Sequence, residues 1–222
     1  HTAHPDDAVA VAKLGADVLM HTPYQAELTD EDVRQLVAAG VPIVTTVQIW
    51  EWAQRGLTKK PPLTELEKRL MSTVTRATLE EDWTEYVADY ETDDFSPEFL
   101  NETLPKFHRN LVANLKKLKA AGVPLLVGTD YGIPGLTPGA SLIREMHMLR
   151  QFGFSSVEVL RMATSLPGRE LEPTGPALGI VALGARAELI LLPSNPLNNL
   201  SVIDHVDLVF SQGKVYQPTT DF

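Results

Sequence analysis

Three side chains that can bind a metal ion or transfer a proton stand where the sequence predicts a strand to end or a helix to begin. His21 ends the strand-like run at residues 16–21, Asp130 follows the apolar start of "LLVGTDYG" at residues 125–132, and His1 stands just before the first predicted helix. Two imidazole nitrogens and a carboxylate oxygen are suitable ligands for a divalent ion of the zinc type. Each residue also has an ordinary structural interpretation, as a turn or helix-capping aspartate or as a hydrogen-bonded histidine at a strand edge.

Polar and aromatic residues near these positions are candidates for contacts with a substrate. Tyr24 and Tyr131 come just after two of the proposed metal ligands, and Gln48 and Trp50 follow the end of another predicted strand. Aromatic side chains after a strand more often close a hydrophobic core, so both interpretations stay open for them. His4 is interpreted as a structural residue at a helix start.

The elements that would position these residues alternate between short apolar runs and amphipathic helices. Strands are predicted at residues 16–21, 41–47 and 123–128, and helices at residues 8–14, 31–39, 98–121, 139–152 and 157–164. Thr29 with Asp32, and Ser155 with Glu158, have the spacing of capping boxes. Continuous apolar runs are typical of parallel strands, and the carboxyl ends of the strands in a parallel barrel meet at one mouth. The pattern therefore predicts that the proposed ligands lie close together.

Residues 51–105 depart from this alternation. They are charged and helix-prone, with predicted helices at residues 63–75 and 79–90, and they are too long for a plain connection. We interpret them as a helical insertion or lid. Residues 1–166 as a whole are expected to form the later half of a TIM-like (β/α)8 barrel, in a mixed α/β fold.

From residue 167 the sequence is rich in proline and glycine and has short β-type runs. These runs lie at residues 187–192, 206–211 and 214–217. Gln212 and Gly213 separate the last two and predict a hairpin turn. We expect residues 167–222 to be the C-terminal part of a small β-sandwich appendage.

Composition limits the class of partner. The chain has 222 residues, 44% of them hydrophobic, which suits one large core, and it has no cysteine for disulfides or thiolate metal sites. A formal charge of −10 argues against nucleic acid, because binding a polyanion requires a positive surface. No apolar run reaches transmembrane length. A small molecule is therefore the expected partner, rather than nucleic acid or a membrane.

Four stretches are specific enough to compare with known families. They are "HTAHPDDAVAVAKLGADVLMH" (1–21), "GVPLLVGTDYG" (122–132), "GASLIREMHMLRQFGFSSVEVLRMATSLPGREL" (139–171) and "GIVALGARAELILLPSNPL" (179–197). In these stretches the chain resembles the C-terminal half of a metal-dependent amidohydrolase, of the imidazolonepropionase-like and prolidase-like branch. The resemblance spans most of the chain except the insertion.

The resemblance implies a role for each candidate ligand. His1 corresponds to the metal-binding histidine of barrel strand five, His21 to that of strand six, and Asp130 to the metal-binding and proton-shuttling aspartate of strand eight. Family members also have a His-x-His pair on strand one and, where two metals are bound, a carboxylated lysine on strand four. Both would lie upstream of His1, so we expect an N-terminal half in the same or another chain.

The activity implied by the resemblance is hydrolysis of C–N bonds in small molecules, in an amide, a cyclic amide or a dipeptide-like substrate. One or two zinc-like divalent ions would lower the pKa of a water molecule. Asp130 would take the proton and deliver it to the leaving nitrogen, and His21 would bind the second metal or polarise the substrate. The alternative is a non-catalytic amidohydrolase-like scaffold or assembly subunit. Unpaired edges of a half barrel would also favour a homo-oligomer.

Overall fold

Two sheets organise the chain, of which the computed structural model describes residues 1–51, 63–90, 98–132 and 136–218. The first sheet is parallel, in the order β1 (Leu19–Met20), β2 (Ile43–Val44) and β3 (Leu125–Leu126). The second is antiparallel, in the order β4 (Leu189–Leu191), β5 (Leu208–Ser211) and β6 (Lys214–Tyr216).

The described helices are α1 (Pro5–Lys13), α2 (Asp30–Ala39), α3 (Glu65–Leu70), α4 (Thr73–Tyr90), α5 (Leu104–Ala120), α6 (Ala140–Gln151), α7 (Ser156–Ala163) and α8 (Ser165–Leu171). Another helical segment starts at Gln48 and reaches Glu51. The predicted capping boxes at the starts of α2 and α7 are both confirmed. Among the described helices, none has the length and hydrophobicity needed to cross a membrane.

The parallel strands lie inside the predicted runs but are shorter than predicted. Each contributes two residues to the ladder, with Leu19 opposite Ile43 and Ile43 opposite Leu125. The predicted runs stop early because His21 has a φ of 76° and Thr46 a φ of 46°. A left-handed backbone cannot continue a strand. His21 and Thr46 therefore lie in turns that follow the carboxyl ends of β1 and β2.

A buried polar residue connects α5 to the segment that follows β1. Asn114 is fully buried and accepts a hydrogen bond from the Leu28 N–H at 2.8 Å. Its amide group donates to the carbonyls of Pro23 and Ala26, both at 2.9 Å. The side chain of Asn114 thus donates twice and accepts once within this segment, which fixes the path of the chain just beyond His21.

The structure describes part of the predicted insertion, and most of that part is helical. Its predicted helices meet at residues 76–78, but α3 and α4 are instead separated at Met71 and Ser72. Residues 52–62 and 91–97 lie outside the described residues. The predicted helix at 98–121 is present as a π-helical turn, Phe99–Thr103, followed by α5. Pro105 near the start of α5 lacks an N–H, which interrupts the regular bonding pattern there.

The C-terminal region differs from its prediction in two ways. Its described strands form a single three-stranded sheet instead of part of a sandwich, and it begins with a helix, α8. The three described parallel strands outside this region form an open sheet, and the prediction for them was the later half of a barrel only. The hairpin turn is confirmed, since Gln212 and Gly213 have φ angles of 51° and 74°. Helix α8 was not predicted and runs across the proposed boundary at 166/167, a division that stays a prediction.

Candidate metal centre

The structure brings His1, His21 and Asp130 together at the carboxyl end of the parallel sheet. One potential ligand atom from each lies within 4.8 Å of the other two. His1 Nδ1 is 2.8 Å from His21 Nε2, and His21 Nε2 is 3.9 Å from Asp130 Oδ2. The two imidazole rings are tilted by 59° to each other, with their centroids 4.8 Å apart.

Different elements position the three side chains. His21 directly follows β1, and His1 is placed beside it because the Thr2 N–H bonds to the Met20 carbonyl at 3.3 Å. Asp130 comes after β3, on the far side of β2. Between β3 and Asp130 the chain passes close to β2 at Gly128, where a Cβ atom would lie only 2.2 Å from Val44 Cγ1. Glycine is therefore favoured two residues before the aspartate.

The backbone around this cluster is in an uncommon conformation. Four non-glycine residues of the described chain have a positive φ, and three of them lie here: His21 at 76°, Thr46 at 46° and Asp130 at 54°. The fourth belongs to the hairpin turn. Strained backbone of this kind costs about 1–3 kcal/mol per residue and concentrates at functional sites. The strain is an independent indication that this edge of the sheet is a site.

The electrostatic environment favours a neutral imidazole at His21. Burial lowers the pKa of His21, and the negative charge of Asp130 acts in the opposite direction. Since a metal binds the unprotonated nitrogen, a lowered pKa keeps the ligand ready to bind at lower pH. Burial, followed by the charge of Asp130, raises the pKa of Tyr24, which therefore stays a neutral phenol at neutral pH.

The chemistry of the donors fits a divalent cation. Two ring nitrogens and one carboxylate oxygen form the type of donor set that zinc and similar ions accept. His1, His21 and Asp130 would hold such an ion.

The four proposed substrate-binding residues lie in different environments. Tyr24 is half-buried, with its ring 4.8 Å from that of Trp50 in an edge-on contact. Trp50 is 6% exposed and belongs to the hydrophobic core, as the structural interpretation of this residue predicts. Gln48 is buried, and its Oε1 has no hydrogen-bond partner among the described residues. Tyr131 is 64% exposed. Their roles as substrate contacts stay predictions.

Two histidines outside the cluster have structural partners. His4 is the N-cap of α1 and accepts a hydrogen bond from the Asp6 N–H at 3.2 Å, which confirms its structural interpretation. His147 of α6 lies 2.7 Å from Asp204 of the 3-10 helix Leu200–Asp204 and links these two elements.

Sequence reasoning missed Glu145, a fully buried acid of α6. Its Oε1 accepts hydrogen bonds from the Thr45 hydroxyl and the Val47 N–H, and its Oε2 accepts one from the Gln48 N–H at 2.7 Å. Burial raises the pKa of Glu145 to about 7, against the lowering effect of these bonds. An acid four residues before the apolar Leu149 in a predicted helix was the available signal.

Comparison with known families identifies the class of protein that carries this fold and site. The sequence model described as "Amidohydrolase family" matches residues 1–216. The chain belongs to the amidohydrolase family. Comparison with curated protein sequences gives no significant match.

Several solved structures share the fold at low sequence identity. A Xaa-Pro dipeptidase with methionine bound in its active site has a TM-score of 0.68 and 19% identity, covering 98% of this chain and 44% of its own. An A. niger ochratoxinase has a TM-score of 0.62 and 20% identity, covering 95% and 39%. A prolidase complexed with N-methylphosphonate-L-proline has a TM-score of 0.61 and 18% identity, covering 99% and 44%. The chain spans less than half of the length of each of these relatives.

Proposed function

We propose that this chain supplies part of the catalytic metal site of a hydrolase that cleaves C–N bonds in small molecules. The observation that carries the proposal is the meeting of His1, His21 and Asp130 at the carboxyl end of three parallel strands. Membership of the amidohydrolase family supports the same class of reaction.

Each of the three residues has a defined task in this proposal. One or two zinc-like divalent ions bound here would supply Lewis acidity and so make hydroxide available near neutral pH. His1 and His21 offer their unprotonated ring nitrogens as ligands. Asp130 is the acid of the cluster, and its carboxylate would accept a proton from the attacking water and give it to the leaving nitrogen.

The proposed substrates are amides, cyclic amides or dipeptide-like molecules. Among the structural relatives are proteins named as a dipeptidase and as a prolidase, which supports the dipeptide-like class. The formal charge of −10 is consistent with a small-molecule substrate rather than a polyanion. Tyr24, Gln48, Trp50 and Tyr131 are the side chains we propose to contact the substrate or to shape its pocket.

We propose that the remaining metal ligands come from an N-terminal half, in the same or another chain. The three candidate ligands lie at the carboxyl end of a short sheet, and the three relatives compared above are each more than twice as long as the part that this chain covers. This interpretation also accounts for the outer edges of β1 and β3, which have no neighbouring strand among the described residues.

The test is a metal and activity comparison of Asp130→Asn with Asp17→Asn in the complete protein. Asp17 is exposed and precedes β1, at the opposite end of the strand from His21, so it serves as a matched control. We expect near-stoichiometric zinc and hydrolysis of dipeptides or cyclic amides in the wild type and in Asp17→Asn. Asp130→Asn should lose at least tenfold in zinc affinity and at least a hundredfold in kcat, on the order of the effects of removing a ligand and a general base.

A folded wild-type protein that binds no zinc, cobalt or manganese would contradict the proposal. The non-catalytic scaffold would then be the better interpretation. Unchanged hydrolysis in Asp130→Asn would likewise exclude the assigned proton transfer.

A further inference from the structure

The ring nitrogen of His21 that faces away from the cluster has its own partner. His21 Nδ1 lies 2.8 Å from the hydroxyl oxygen of Thr46, on the turn after β2. When His21 binds a metal through Nε2, its proton resides on Nδ1, and that N–H donates to Thr46 Oγ1. The hydroxyl can thus fix the ring orientation that directs Nε2 toward His1 and Asp130.

Thr46 is a costly residue at this position. Its φ of 46° lies in the left-handed region, where a β-branched side chain is a genuine outlier. Thr46 is also buried, with 4% of its surface exposed, so its hydroxyl position is set by the backbone that carries it. Something must hold this turn in its unfavourable conformation.

Glu145 holds the turn from both sides of Thr46. Its carboxylate accepts hydrogen bonds from the Thr45 hydroxyl before it and from the Val47 and Gln48 N–H groups after it, at 2.9 and 2.7 Å for the two N–H groups. The N–H groups open the helical segment that starts at Gln48, so the carboxylate also satisfies donors that a helix start leaves free. Arg144, the preceding residue, pairs with Glu51 in the same segment.

We infer that Glu145 and Thr46 are positioning residues that orient His21 for metal binding. The contacts run from the carboxylate of Glu145 on α6, through the turn after β2 that carries Thr46, to the imidazole of His21 after β1. They therefore join three elements that are far apart in sequence. This inference rests on the proposed function, because it assigns His21 as a metal ligand.

Four variants of the complete protein test the inference. Thr46→Val removes the hydroxyl at nearly constant volume, Thr46→Ser keeps it, and Glu145→Gln places an NH2 group against a backbone or hydroxyl donor. Thr137→Val is the control, because Thr137 is buried and its hydroxyl has no partner among the described residues. Zinc affinity is measured by competition with a chelating dye. The side-chain ¹⁵N shifts of His21 in the metal-free protein report which ring nitrogen carries the proton.

Thr46→Val and Glu145→Gln should each weaken zinc binding by roughly 10- to 100-fold, the usual effect of removing a residue that orients a metal ligand. Thr46→Ser should stay within about threefold of the wild type, as should Thr137→Val. In the metal-free protein, the ratio of the two His21 tautomers should be the same in the wild type and Thr46→Ser, and it should change in Thr46→Val, where Nδ1 loses its partner. A merely structural threonine would affect thermal unfolding without changing the tautomer.

The inference is overturned if Thr46→Val keeps the wild-type zinc affinity and the wild-type tautomer. If the wild type binds no zinc, the proposed function fails. The tautomer comparison then still decides whether Thr46 orients the ring. If only Glu145→Gln keeps wild-type zinc affinity, Glu145 has no positioning role and the inference as stated is wrong.

Discussion

The buried carboxyl of Glu145 should make stability depend on pH in the direction opposite to that of most acids. Burial raises its pKa from 4.5 to about 7. Between these values the folded protein keeps a proton that the unfolded chain has released, so raising the pH favours unfolding. The two pKa values differ by about 2.5, and at about 1.4 kcal/mol for each unit the contribution is on the order of 3 kcal/mol.

This contribution is fully present below about pH 4.5 and is lost as the pH rises through about 7. Urea unfolding of the metal-free wild type and of Glu145→Gln, from about pH 4 to about pH 8, measures it directly. All other titratable groups are shared, and the hydrogen bonds lost in the variant add an offset that is constant with pH. The free energy of unfolding of the wild type should therefore fall by about 3 kcal/mol relative to the variant. Parallel curves would show that the pKa of Glu145 is the same in the folded and unfolded chains and would refute the reasoning.

Two further predictions concern residues that support the site. Asn114→Ala leaves a buried backbone N–H and two carbonyls without their partner, at about 1–3 kcal/mol each, so urea unfolding should show a loss of several kcal/mol. The exposed Asn198→Ala is its control, and a loss below about 1 kcal/mol would contradict the prediction. Gly128→Ala should weaken zinc binding, because its Cβ meets Val44, and the double variant with Val44→Ala should recover much of the affinity. Wild-type affinity in Gly128→Ala alone would show that the close approach does not position Asp130.

The candidate metal ligands could be predicted from the sequence because their signal is local. His21 and Asp130 each follow an apolar run, and the carboxyl ends of parallel strands share one edge of a sheet. The structure confirms this proximity, at 3.9 Å between the nearest side-chain atoms. The capping boxes of α2 and α7 and the hairpin at Gln212 were predictable for the same reason, since each depends on residues within a few positions of one another.

Features that depend on distant contacts were not predictable in this way. Glu145 stands out as an acid on a buried helix face, but its hydrogen-bond partners belong to a turn on another element. Helix α8 contains Pro167 and Gly168, which normally indicate a break. Its glycine is required by packing, because a Cβ there would meet the Leu178 carbonyl oxygen at 2.1 Å. Trp50 was ambiguous, and its packing against Tyr24 and Phe107 places it in the core.

The conformation of Thr46 bears on the choice between a catalytic site and a scaffold. A glycine at this position would adopt the left-handed backbone without cost, and the turn would still present the Val47 and Gln48 N–H groups to Glu145. The threonine adds about 1–2 kcal/mol of strain and supplies one feature that glycine lacks, the hydroxyl that bonds to His21. Holding an imidazole in a fixed orientation matters for binding a metal and has little value for a chain that only maintains a fold. The strain at this turn therefore favours the metal-binding interpretation.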